Sequence, residues 1–74
     1  MTLNEAKVGG KYKVKGILGR GPLRKRILDM GLTKNTEFFV RKAAPLGDPV
    51  QISIRGYELT IRKHDGEQVE IESI

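Results

Sequence analysis

Val50-Gln51-Ile52-Ser53-Ile54-Arg55-Gly56-Tyr57-Glu58-Leu59-Thr60-Ile61 decides the fold. Apolar residues at 50, 52 and 54 alternate with polar ones, the period of two that turns one face of a strand to a core and the other to water. Arg55-Gly56-Tyr57 then reverses the chain, and the alternation resumes over Glu58-Leu59-Thr60-Ile61. This predicts an antiparallel hairpin with Gly56 at its turn.

Upstream, Ala43-Ala44-Pro45-Leu46-Gly47-Asp48-Pro49 carries two prolines and a glycine and reads as a connection. Before it, Thr36 to Lys42 is strand-like through Phe38, Phe39 and Val40, with Phe38 and Val40 sharing a face. Between Gly21 and Gly31 the period changes. Leu23, Ile27 and Met30 fall at i, i+4 and i+7, one stripe of a short helix, with Pro22 in its first turn and Gly31 at its C-terminal stop. Leu28 lies about 100° around that helix from Ile27 and needs a different neighbour. Nearer the N-terminus, Lys11-Tyr12-Lys13-Val14-Lys15-Gly16-Ile17 alternates again, with Tyr12 and Val14 on one face. Downstream, Asp65-Gly66 marks a turn before a short strand, Val69-Glu70-Ile71.

The expected architecture is mainly β: one domain over residues 1–74, a small, partly open barrel of about five antiparallel strands with one short helix after the first. A chain of 74 residues has room for one compact core and no second domain. It has no cysteine, which fits a reducing cytoplasm. No stretch approaches the roughly 20 apolar residues of a membrane span, so direct membrane insertion is not expected. The net charge of +5 is polarised, because basic residues run from Lys7 to Lys63 while Glu67, Glu70 and Glu72 close the chain.

Catalytic chemistry is poorly supplied. The single histidine, His64, stands beside a turn with no nucleophile motif, so neither an enzyme nor any catalytic residue is expected. Gly16, Gly19 and Gly21 match no phosphate-binding pattern and read as a bend between strand and helix. His64, Asp65 and Glu67 are the only candidates for a metal site, and a lone histidine lacks the ligand clustering that metal motifs show. A solvated turn is the better reading.

Three segments carry a resemblance. Leu28-Asp29-Met30-Gly31-Leu32 within Pro22 to Thr33, then Pro45-Leu46-Gly47-Asp48-Pro49, then Arg55-Gly56-Tyr57 closely resemble the FeoA family, and the likeness covers nearly the whole chain. The resemblance implies an SH3-like fold and a cytoplasmic accessory role beside FeoB, the membrane ferrous-iron transporter with a GTP-binding domain. Fe2+ would be the cargo of that partner, with no cofactor in this chain. The iron connection comes from the resemblance and not from ligands in the sequence. The absence of a helix-turn-helix segment disfavours a stand-alone repressor.

An adaptor of this kind works through apolar contacts framed by charge. Leu28 and Leu46 are apolar side chains without an evident core role, Arg24 with Lys25 and Arg26 suits an acidic partner, and Asp48 is expected to cap its own loop. The alternative class is a basic β-barrel that binds RNA or DNA, for which Tyr12, Phe38, Phe39 and Tyr57 make a poor stacking platform once the core has taken its share. A third reading, regulation of partner GTP hydrolysis, would use Arg20 or Arg24 as an arginine finger. Exposed strand edges or an apolar loop leave a homo-oligomer open.

Overall fold

The computed structural model describes all 74 residues. Strands β1 (Lys11–Ile17), β2 (Glu37–Ala43), β3 (Val50–Ile54), β4 (Tyr57–Ile61) and β5 (Val69–Ser73) form one antiparallel sheet in the order β4-β3-β2-β1-β5. Helix α1 (Pro22–Asp29) follows β1, and a single helical turn, α2 (Lys63–Gly66), joins β4 to β5. The sheet is open, because β4 and β5 are its two edges.

The alternation read from the sequence is the alternation of burial. Tyr12 and Val14 on β1, Phe38 and Val40 on β2, and Val50, Ile52 and Ile54 on β3 all enter a core of 13 buried apolar residues. The Tyr12 and Phe38 rings stack with centroids 5.8 Å apart, so half of the chain's aromatics are spent inside. On α1, Ile27 is fully buried while Leu23 and Met30 pack against the core from its margin. The hairpin closes over Arg55 and Gly56, both with positive φ (45° and 90°), as a two-residue turn of the kind whose twist matches its strands.

Three features depart from the sequence reading or were missed by it. Asp65-Gly66 is not a free turn but the end of α2. The N-terminal Leu3–Glu5 forms a 3₁₀ turn whose Leu3 is fully buried, although no periodicity announces it. Leu32, just past the helix, is also fully buried. Gly31 stops α1 as expected: at φ 105° it follows the cap residue Met30, its N–H donates to Leu28 C=O at 3.0 Å, and the Leu32 N–H donates to Ile27 C=O at 3.4 Å.

Candidate partner-binding surface

Among the exposed large apolar side chains, Leu46, singled out for partner contact, is the most exposed at 93%. Its loop is nonetheless ordered from within. Gly47 N–H donates to Ala44 C=O at 2.7 Å, a turn with Pro45 in its second position, and Ala44 N–H donates to Pro49 C=O at 3.0 Å across the loop's base. Leu46 is thus held out in water by a closed turn. Beside it, Lys42, Ala43, Ala44, Pro49, Gln51 and Thr60 line a cleft of about 220 Å³. Leu28 is half-buried on α1 and lies outside the core packing.

Asp48 does not cap its own loop. Its Oδ1 accepts the Lys63 N–H at 2.9 Å, supplying from fifteen positions away the acceptor that the first turn of α2 lacks locally. A carboxylate suits this place because the amides of a helical first turn carry partial positive charge.

The opposite side of α2 is tied as well. The Arg26 guanidinium donates to Asp65 Oδ1, an ion pair between residues 39 apart in sequence. Asn4 Nδ2 donates to Lys63 C=O at 2.9 Å, and Gly66 is buried so close to Asn4 that a Cβ there would lie 2.3 Å from Asn4 Oδ1. The single turn α2 therefore joins α1, the 44–49 loop and the N-terminal segment, and the two surfaces suspected from sequence are linked through it.

This placement bears on the remaining candidates. Asp65 is engaged by Arg26, and no three His, Cys, Asp or Glu side chains converge in a way that would hold a metal ion. His64 and Glu67 are exposed. Arg24 donates to Ile17 C=O at 3.2 Å, pinning the start of α1 to the end of β1, while Arg20 stays exposed. Phe39 and Tyr57 are the two surface aromatics, and the Tyr57 hydroxyl is committed, donating to Met30 C=O at 3.2 Å.

That last contact was legible only in part. Gly31 and Tyr57 stand in separate motifs, yet a Cβ on Gly31 would meet Tyr57 Oη at 2.2 Å. Two of the three segments on which the resemblance rests are thus one packing unit in space.

Residues 1–73 match the FeoA domain family. The chain belongs to the FeoA family. The FeoA domain is 38% identical over all 74 residues to part of a protein from Porphyromonas gingivalis named Fe(2+) transport protein A/Fe(2+) transporter FeoB fusion protein. It spans 9% of that relative's length. Among solved structures, the FeoA-like protein from Clostridium acetobutylicum is 36% identical and superposes with a TM-score of 0.92 over 100% of this chain and 86% of the other. FeoA from Stenotrophomonas maltophilia, described as a prokaryotic SH3 domain protein and solved with zinc, superposes with a TM-score of 0.83 at 18% identity, covering 97% of this chain and 89% of the other. The fold of this FeoA domain is accordingly SH3-like and mainly β. No helix in it is long and apolar enough to cross a membrane.

Proposed function

We propose that this chain is an accessory protein of ferrous-iron uptake that binds a FeoB-type membrane transporter from its cytoplasmic side and modulates the transporter's assembly or activity. The observation that carries this reading is the fusion relative, in which a segment 38% identical to the whole of this chain shares one polypeptide with the transporter. Two modules that one chain holds together in one organism are candidates to associate when separate.

The surface suits contact rather than chemistry. Leu46 projects from an internally bonded turn, so it binds without the entropic cost of ordering a loop. Asp48 and Arg24 take part mainly by holding that surface in shape, through Lys63 and Ile17 respectively. Fe2+ is the cargo of the transporter in this scheme and is not a ligand that this chain must hold.

Titration against purified FeoB-type transporter, full-length and as its isolated cytosolic domain, tests the proposal. Saturable binding that is lost in Leu46→Asp and Leu28→Asp, with both variants folded by circular dichroism, is the expected result. Absence of binding to either form of the transporter refutes it.

A further inference from the structure

A five-stranded open sheet has two edges, and they are treated differently here. The β5 edge is covered by the chain's own start: Ile71 N–H donates to Met1 C=O at 2.8 Å, and Thr2 forms a bridge to Glu70. The β4 edge has no such cover.

The two-residue turn makes Ile54 and Tyr57 a hydrogen-bonded pair, so Tyr57, Leu59 and Ile61 aim their backbone groups at β3. Glu58 and Thr60 then aim theirs outward. Neither residue's amide or carbonyl enters any of the turn, loop and cap hydrogen bonds, and both residues are exposed. Two of the usual protections of an edge are absent as well, since β4 contains no proline and its pairing with β3 runs without a bulge.

Charge marks out the occupant. Arg55 precedes β4, Arg62 and Lys63 follow it, and Lys42 stands two strands further in, on β2, in the cross-strand row Lys42, Gln51, Thr60. None of these four cations is in an ion pair. The nearby acids are occupied: Glu58 accepts from Gln51 and pairs with Arg41 at 3.8 Å, and Asp48 accepts from the Lys63 amide. A second copy paired antiparallel about Leu59 would set Arg55 opposite the other copy's Lys63 at both ends, where like charges repel.

We infer that the free edge of β4 takes up an extended, acidic segment of the partner protein as a sixth strand. The outward amides and carbonyls of Glu58 and Thr60 bond its backbone, and its carboxylates meet Arg55, Arg62 and Lys63. The cleft that has Thr60 as its lip accepts a small apolar side chain from the same strand. This inference rests on the partner-binding function proposed above and specifies the surface and the mode.

The test is amide hydrogen exchange of the wild-type chain with and without purified full-length FeoB-type transporter, combined with titration of two variants. Thr60→Pro deletes an outward N–H while sparing the bonds to β3, a substitution that strand edges tolerate. Arg55→Glu combined with Arg62→Glu reverses the charge at both ends of β4 and leaves the strand backbone intact. New protection of the Glu58 and Thr60 amides on binding, with affinity at least tenfold weaker in both variants, is the expected outcome. Binding that leaves those two amides exchanging as in the free chain overturns strand addition while the accessory function stands. Failure of the wild type to bind removes both. Protection of the same amides in the chain alone, growing with its concentration, overturns the inference in favour of a second copy.

Discussion

Replacing Gly31 with alanine attacks the packing unit that joins α1 to the hairpin. Two costs arise. At φ 105° an L side chain is strained, which costs about 1–2 kcal/mol at such a backbone conformation. The new Cβ would also stand 2.2 Å from Tyr57 Oη, so the tyrosine must move and give up its bond to Met30 C=O, worth about 1 kcal/mol. Together these predict a loss of about 2–3 kcal/mol, or about 10–20 °C in melting temperature for a chain this short. Tyr57→Phe alone loses only the hydrogen bond, about 0.5–1 kcal/mol because the ring is 45% exposed. Both single variants forfeit the same bond, and phenylalanine carries no atom at the point of collision. The double variant should therefore be less damaged than the sum by about 1 kcal/mol, measured by urea unfolding of all four proteins. Additivity within about 0.3 kcal/mol would refute the argument, since it would mean that Gly31 and Tyr57 do not contact.

Asp48→Ala should cost about 0.5–1 kcal/mol by leaving the first amide of α2 without its acceptor, whereas Asp48→Asn should retain part of that stability; thermal unfolding separates the two. Leu46→Asp should leave stability within about 0.5 kcal/mol of wild type in the same urea assay, because the side chain is already in water, while binding to the transporter falls. Ile27→Ala removes the one fully buried side chain of α1 and should cost about 2–5 kcal/mol, enough to leave much of the chain unfolded by circular dichroism at ambient temperature.

The strands were legible because their physics is local. Tyr12 and Val14, or Val50, Ile52 and Ile54, declare their face by alternation with immediate neighbours. The α1 stripe is likewise a matter of i, i+4 and i+7. What escaped sequence reasoning was held from a distance. Lys63-His64-Asp65-Gly66 has too few residues for any periodicity, and its acceptor, its ion-pair partner and its packing neighbour are Asp48, Arg26 and Asn4. Asp48 and Arg26 were accordingly read as a local cap and a steering charge. Leu3 escaped for the same reason, because a lone apolar residue near a terminus has no pattern until the sheet supplies its pocket. Gly66 looked like a turn former and is instead required by space: it is buried without positive φ, against a side chain from the other end of the chain.

The cover over β5 has a further consequence for how such a module is mounted. Met1 lies against Ile71, and the Ile74 amide donates to Lys11 C=O at 3.1 Å, so both ends of the chain leave from the β1 and β5 side of the sheet. A covalent leash at either end attaches away from β4 in the strand order, leaving that edge open to whatever the leash brings near. Joined to a transporter by a short flexible leash, the module meets its target at an effective concentration of about millimolar, where even weak docking is populated. An untethered chain has to obtain the same occupancy from intrinsic affinity and from its own abundance.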